Sequence, residues 1–159
     1  MQVTIIAVGR LRSRPMLELF EDYGDRFAHL GRGLGITGIE VRELAQAKQS
    51  RPADRRRAEA QAILTAGKAS TLVALDERGR DLPSPALADY MQSTRDNGAG
   101  ALSFIIGGPD GLDQSVTARV DRVIGFGRQT WPHQMVRVML AEQLYRALTI
   151  ISGHPYHRS

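Results

Sequence analysis

The stretch TLVALDERGRDLPSPALADYMQSTRDNGAGALSFIIGG, residues 71–108, decides the fold class. Its residues 71–75 and 101–106 form short, mostly apolar runs, which are typical of strands buried on both faces of a parallel sheet. Between them, residues 85–97 are predicted to form a helix, with Ser84 as its N-cap and Gly98 at its end. A strand, a helix and a second strand in this order indicate an α/β fold with a mostly parallel sheet flanked by helices.

The same alternation continues on both sides of this stretch. Further strands are predicted over residues 3–8, 36–44 and 122–126, and further helices over residues 51–66, 113–121 and 133–152, with another beginning at Ser13. Ser13 and Asp113 are the predicted N-caps of two of these helices. Because no repeat or long linker interrupts the pattern, we expect residues 1–159 to form a single domain.

Three loops follow predicted strands at positions where α/β proteins bind ligands. They comprise residues 75–79, 107–111 and 125–132. In open parallel sheets, ligands lie beyond the carboxyl ends of the strands. The three loops are therefore predicted to line one crevice, and the glycines of GGPDG at 107–111 would let the backbone approach a ligand closely.

Composition limits the classes of protein to consider. The chain of 159 residues has a net charge of +4 and a sequence pI of about 10.0, which favours a polyanionic partner or indicates only a mildly basic surface. It contains no cysteine, which excludes disulfides, thiolate metal sites and cysteine nucleophiles. No signal peptide or apolar run long enough for a bilayer is present, so we expect a cytoplasmic protein with no membrane partner.

Several motifs allow more than one interpretation. GLGITG at 33–38 fits the dinucleotide-binding pattern but precedes a strand, so a loop is the better interpretation. The arginines at 51, 55, 56 and 57 form either a solvated helix face or an RNA-steering patch. Glu142 and Arg146 lie four residues apart on the last helix and form either a surface ion pair or part of a site.

The C-terminal segment HPYHR, residues 154–158, concentrates polar chemistry where chain ends are usually frayed. One interpretation is a solvated tail. A second is a zinc pair formed by His154 and His157, which is disfavoured because the chain has no cysteine and few other histidines, so no metal is expected. A third is an RNA contact, in which Tyr156 stacks on a base and Arg158 holds a phosphate.

Four segments in this order and spacing resemble one family: VALDERGR at 73–80, SFIIGGPDGL at 103–112, PHQMVRVMLAEQLYRA at 132–147 and HPYHR at 154–158. Together they are similar to the RlmH family of ribosomal large-subunit pseudouridine N3-methyltransferases, which belongs to the SPOUT superfamily. The resemblance covers essentially the whole chain. It implies a C-terminal deep trefoil knot, a homodimer, and S-adenosylmethionine-dependent methylation of 23S ribosomal RNA on assembled ribosomes.

The resemblance also implies which residues bind the cofactor and which serve catalysis. The implied cofactor-binding residues are Leu75, Gly107, Gly108, Gly127, Arg128, Gln129, Thr130, Trp131 and Pro132. The implied catalytic residues are Glu142, Arg146, Tyr156, His157 and Arg158, with His133 close by. Either His157 or Glu142 would accept the proton from N3, while the two arginines would hold a phosphate or a carbonyl oxygen.

Two rival functions remain open on the sequence alone. A nucleotide-binding hydrolase or oxidoreductase fits the strand–helix alternation but lacks a P-loop, a correctly placed dinucleotide motif and an obvious nucleophile. A non-catalytic ribosome-associated or RNA-binding protein would explain the basic charge and the aromatic-basic tail. It would not explain the glycine-rich loops that follow separate strands.

Overall fold

Five strands and five α-helices alternate along residues 1–157, the part of the chain that the computed structural model describes. The strands are β1 Gln2–Val8, β2 Thr37–Leu44, β3 Thr71–Asp81, β4 Ala101–Ile106 and β5 Arg122–Gly125. The helices are α1 Arg14–Gly31, α2 Pro52–Ala66, α3 Ser84–Asp96, α4 Gln114–Thr117 and α5 His133–Ile151. A 3-10 turn, Arg32–Leu34, follows α1 and occupies part of the glycine-rich GLGITG string, which therefore does not open a helix.

The strands form one sheet in the order β2-β1-β4-β3-β5, and the pairings between neighbours are parallel. This confirms the predicted mostly parallel sheet flanked by helices. The central strands β1 and β4 are almost wholly buried, as strands covered on both faces should be.

The helices cover both faces of the sheet. On one face, alternate strand residues such as Ile5 and Phe104 pack against α1, α3 and α5. On the other face, Ile6 and Ile105 pack with Ile63 of α2 and Val116, which lies in α4. The two-residue period of the strands therefore divides the core into two layers. No helix among residues 1–157 combines the length and apolar content needed to span a membrane.

Strand β3 is longer than its apolar run predicts. Leu75 pairs with Ile124, and after the intervening turn Arg80 pairs with the same Ile124, so residues 76–79 leave the strand and return to it. This return requires a very close approach at Gly79. A Cβ there would lie 2.3 Å from the carbonyl carbon of Ile124.

Of the three predicted N-cap residues, Ser13 and Asp113 are confirmed in position, whereas the prediction for Ser84 is wrong. Ser84 is the first residue of α3 and its hydroxyl donates to Gln143. Ser13 is at the N-cap of α1, but its side chain makes no capping hydrogen bond. Asp113 does cap α4, because its carboxylate accepts from the Ser115 backbone N–H at 2.9 Å.

Candidate active site

The carboxyl ends of three adjacent strands bring the predicted cofactor loops to one edge of the sheet. Leu75 on β3 pairs with Ile106 on β4 and with Ile124 on β5. The residues that follow these three positions therefore emerge side by side, at the edge where such sheets bind ligands. Leu75 itself is buried in the core below the loops.

The loop of residues 125–132 is attached to the turn that follows Leu75. The attachments are hydrogen bonds from the Gly127 N–H to the Asp81 carboxylate (3.2 Å) and from the Thr130 hydroxyl to the Glu77 carboxylate (2.8 Å). Gly127 adopts φ +84°, a conformation that favours glycine. Arg128 and Gln129 are exposed, and Pro132 is the N-cap of α5. The Trp131 indole donates to the Phe126 carbonyl at 3.0 Å while 42% of the residue stays exposed, which leaves an apolar surface for a ligand.

Glycines allow close packing in the loop that follows β4. A Cβ on Gly107 would lie 3.0 Å from the Leu112 side chain, and one on Gly108 would lie 3.1 Å from Val8 and 3.3 Å from the carboxylate of Glu59. Both glycines are buried against these neighbours, so a side chain at either position would push the loop away from them. The cofactor role of both glycines stays a prediction.

A bidentate ion pair secures the same loop from the side of α2. Arg55 donates to both carboxylate oxygens of Asp110, at 2.6 and 3.0 Å, and to the backbone carbonyls of Gln49 and Ser50. The hydrogen bond from Arg55 lowers the pKa of Asp110, so the pair stays charged. Sequence reasoning treated Arg55 as part of a solvated or RNA-steering face. Because Asp110 lies 55 positions away, no local spacing indicated the pair.

The predicted catalytic residues of α5 and the tail meet at Glu142. Its carboxylate accepts hydrogen bonds from Arg146, including one at 2.9 Å from Nε, from the Gln143 side chain at 2.7 Å and from the Tyr156 hydroxyl at 3.1 Å. Glu142 and Arg146 are mostly buried, with side-chain exposures of 18% and 26%. The pair is therefore part of a packed polar cluster, and the interpretation as a simple surface ion pair does not apply.

Tyr156 is held against α5 by aromatic and cationic contacts. Its ring centroid lies 4.8 Å from that of Tyr145, and the Arg146 guanidinium carbon lies 4.8 Å above the ring. Burial and the neighbouring Tyr23 and Glu142 raise the pKa of Tyr156, so the phenol remains a neutral donor. The tail up to residue 157 is thus docked on the helix, contrary to the interpretation as a solvated tail.

His157 follows this docked tyrosine and is only partly exposed. Its Nδ1 is buried and has no hydrogen-bond partner among residues 1–157. Arg158, the remaining predicted catalytic residue, lies outside the described residues. His133 is at the opposite end of α5, where burial and the nearby Arg137 lower its pKa.

Sequence reasoning missed a buried arginine that anchors the first turns of α5. Arg137 is 1% exposed, donates to the Glu43 carboxylate at 2.6 Å and to the Gly9 carbonyl at 2.9 Å, and thereby ties α5 to β2 and to the end of β1. Burial opposes ionisation of Glu43, but hydrogen bonds from the Leu11 N–H and Arg137 outweigh it and lower the pKa of Glu43. The signal in the sequence was a single cation inside the otherwise apolar run MVRVML at 135–140.

Replacing Glu43 with Gln is expected to destabilise the protein by about 1–3 kcal/mol, because it leaves a buried guanidinium without its counter-charge. Glu40→Gln, on the same strand but in an exposed pair with Arg42, should change stability by about 0.5 kcal/mol or less. Both are measured by denaturant unfolding. The contribution of Glu43 is complete above the ordinary glutamate pKa and is lost as pH falls through its lower folded-state pKa. The gap between wild type and Glu43→Gln should therefore close in acid, and equal stabilities at neutral pH would contradict the assignment.

A wide cavity of about 1000 Å³ lies near the edge strand β5. Its lining includes Tyr90 and Arg122 together with Arg78 and Gly79 of the loop 75–79, but none of the individually predicted catalytic or cofactor-binding residues. Residues 1–157 contain no group of three or more metal-ligating side chains.

The chain is similar in sequence to a family of methyltransferases. Residues 1–157 match the family described as predicted SPOUT methyltransferase. The chain is 48% identical to a protein of Nitrobacter winogradskyi over 99% of both chains, and 48% identical to one of Bradyrhizobium diazoefficiens over 100% of both. It is 47% identical to one of Rhizobium leguminosarum over 99% of both. Each of these relatives is named ribosomal RNA large subunit methyltransferase H.

Solved structures share the fold at low sequence identity. One is a probable methyltransferase from Bordetella pertussis, with a TM-score of 0.51 and 16% identity over 92% of this chain and 95% of the other. Another is a probable methylase family protein from Haemophilus influenzae, with a TM-score of 0.51 and 12% identity over 99% of this chain and 70% of the other. At such identities, these similarities bear on the fold alone.

Proposed function

Because the chain belongs to the SPOUT methyltransferase family, we propose that it methylates large-subunit ribosomal RNA, at N3 of a pseudouridine in 23S rRNA. The membership confirms the predicted enzyme class and S-adenosylmethionine as the cofactor, and the relatives confirm the resemblance to the RlmH family. The observation that carries the proposal is the polar cluster of Glu142, Arg146 and Tyr156. It places a neutral phenol donor beside an arginine and a carboxylate, where a nucleobase edge can be recognised.

The sheet edge supplies the cofactor site in this proposal. Bound S-adenosylmethionine supplies an electrophilic methyl group on a sulfonium. The methyl donor is held by the loop of residues 127–132 and by the backbone at Gly107 and Gly108. The exposed Trp131 ring adds an apolar surface. Leu75 closes the site from below. Their task is orientation, because in-line methyl transfer gains most of its rate from holding the two reactants in the productive geometry.

The tail supplies the groups that act on the base. The N3 atom of pseudouridine would lose its proton to a base and take the methyl group, with S-adenosylhomocysteine as the leaving group. We assign the proton to His157, the alternative to Glu142 that the family resemblance offers, because its side chain is only partly buried. The carboxylate of Glu142 already accepts hydrogen bonds from three side chains, so it orients Arg146 and Tyr156. Those two donors can stabilise negative charge on the ring carbonyls, and Arg158 is assigned a phosphate or carbonyl contact.

The position of the cluster along α5 supports a homodimer with a shared active site. Glu142 is ten residues beyond Pro132, which corresponds to roughly 15 Å along the helix axis at 1.5 Å per residue. Methyl transfer requires the reacting atoms to be about 3–3.5 Å apart. A two-fold related copy would bring the tail of one protomer to the cofactor loops of the other, so that each copy completes the site of its partner.

Two further features belong to the same proposal. The trefoil knot that the family resemblance implies is the first. Action on assembled ribosomes in the cytoplasm, where the folded RNA presents the target, is the second, and it rests on the same resemblance. The rival function of a non-catalytic binding protein gives no role to the glycine-lined loops.

The direct test is methylation of ribosomes from a strain that lacks the modification. With labelled S-adenosylmethionine, we expect one methyl group per large subunit, located by mass spectrometry at N3 of a single pseudouridine. Free 23S rRNA should be a poorer substrate than ribosomes. Tight binding of S-adenosylhomocysteine without any methyl transfer to ribosomes or free rRNA would contradict the proposed substrate, and binding of NAD or ATP in its place would contradict the cofactor.

A further inference from the structure

The segment Gly9–Ser13, here named the rim segment, is held rigidly beside the cofactor loops. Its backbone N–H groups donate to neighbouring elements: Gly9 to the Leu44 carbonyl at 2.8 Å, Leu11 to the Glu43 carboxylate at 2.9 Å and Arg12 to the Gln134 side chain at 3.0 Å. The Gly9 carbonyl accepts from the buried Arg137. The rim segment is therefore fixed by β2 on one side and by the first turns of α5 on the other.

The rim segment presents two exposed cations, Arg10 and Arg12. Neither forms an ion pair or a side-chain hydrogen bond within residues 1–157. Glu43, an acidic side chain that faces the segment, is already bound to Arg137 and the Leu11 N–H. By contrast, the adjacent Arg14 pairs with Glu18 at 2.9 Å.

The local backbone adds to this positive character. Helix α1 begins directly after the rim segment, its N-cap Ser13 makes no side-chain capping bond, and its first turn contains no acidic residue. The unsatisfied N–H groups of such a helix end carry a partial positive charge. The two arginines and the N-terminus of α1 therefore both attract an anion.

The strand order places this charge close to the methyl donor. Ala7 near the end of β1 pairs with Ile106 of β4, which pairs in turn with Leu75 of β3. At about 4.8 Å per strand, the start of the rim segment lies about 5 Å from the loop after β4 and about 10 Å from the turn after Leu75.

We propose that the rim segment binds the phosphodiester backbone of the substrate RNA through Arg10 and Arg12, and so orients the target nucleotide over the cofactor loops. This inference rests on the proposed function. Phosphate contacts fix the register and orientation of a nucleic acid without reading its sequence, and arginines suit them because of their bidentate geometry. The clamped backbone means that little loop entropy is lost when the RNA binds.

The test measures methyl transfer to ribosomes as a function of salt, together with S-adenosylhomocysteine affinity by calorimetry. Arg10→Gln and Arg12→Gln are each expected to raise KM for ribosomes about 10-fold and to reduce the salt dependence of log KM by about one unit of slope. Their kcat and cofactor affinity should stay near wild type. Arg26→Gln, which removes an arginine paired with Asp22 on α1, is the matched control and should leave both quantities unchanged.

The outcomes separate this inference from the proposed function. If wild-type protein methylates no ribosomal RNA, the proposed function fails. If it does, and the double variant keeps the wild-type KM and salt slope, the rim segment is not an RNA contact. A fall in kcat with an unchanged KM in the double variant would also contradict the proposed RNA contact. Arg10→Lys with Arg12→Lys keeps the charges and should retain the salt slope. Loss of slope in that variant, with cofactor binding intact, would contradict a phosphate contact.

Discussion

Replacing Gly79 with alanine is expected to cost at least about 3 kcal/mol of stability and to abolish cofactor binding. The added Cβ would lie 2.3 Å from the carbonyl carbon of Ile124, 2.5 Å from its oxygen and 2.8 Å from the Gly125 nitrogen. These are backbone atoms, so no side-chain rotation relieves the overlap. Strand β5 cannot move aside either, because Ile124 pairs with β3 at both Leu75 and Arg80.

The effect should appear in unfolding and in binding together. The turn of residues 76–79 and the loop of residues 125–132 would be forced apart, and both are parts of the proposed cofactor site. We expect a lower denaturant midpoint and no calorimetric signal with S-adenosylhomocysteine. Gly33→Ala is the control, since no atom lies within 4 Å of a Cβ there and the residue does not adopt a positive φ. If Gly79→Ala were as stable as Gly33→Ala, the contact between Gly79 and the backbone of Ile124 would not be a close one.

Local physics explains which parts of the fold were predictable. The runs at 101–106 and 133–151 are long, strongly patterned segments, and the structure places β4 and α5 there almost residue for residue. The extension of β3 to Asp81 was not predictable, because its residues 76–81 are polar apart from Gly79 and owe their strand conformation to pairing with Ile124 and Gly125. Ser84 illustrates the same limit: its hydroxyl donates to Gln143, which lies 59 positions away.

The candidate site divides in the same way. The glycines at 107 and 108 and the pair Glu142–Arg146 were assigned to the site through the family resemblance, and their roles stay predictions. The contact of Arg137 with Glu43 was not predicted, because a lone arginine on a helix normally faces solvent. Its partners, Glu43 and the Gly9 carbonyl, also lie 94 and 128 positions away in the sequence. Within one protomer the tail docks near Glu142, farther along α5 than the cofactor loops, and that separation supports the proposed homodimer.

Replacing His157 with alanine is expected to lower kcat about 10²–10⁴-fold at saturating S-adenosylmethionine, the range for loss of a positioned general base. His154→Ala is the control within the same tail: His154 is exposed and its ring contacts only the Tyr156 N–H among the hydrogen bonds of residues 1–157, so its kcat should stay within a few-fold of wild type. An unchanged kcat in His157→Ala would remove His157 from the chemistry.

Mixing this variant with a second one tests whether the tail serves the partner subunit. Gly107→Val should fill the space beside Leu112 and block the cofactor site while leaving the tail intact. Each variant alone is expected to be inactive. Co-expressed, they form dimers in which an intact tail and an intact cofactor loop come from different protomers. Recovered activity would mean that the imidazole of one chain acts on a base at the sheet edge of the other. No recovery from purified mixed dimers would place both halves of the site in one chain, and the roughly 15 Å between them along α5 would then have to be closed by movement of the tail.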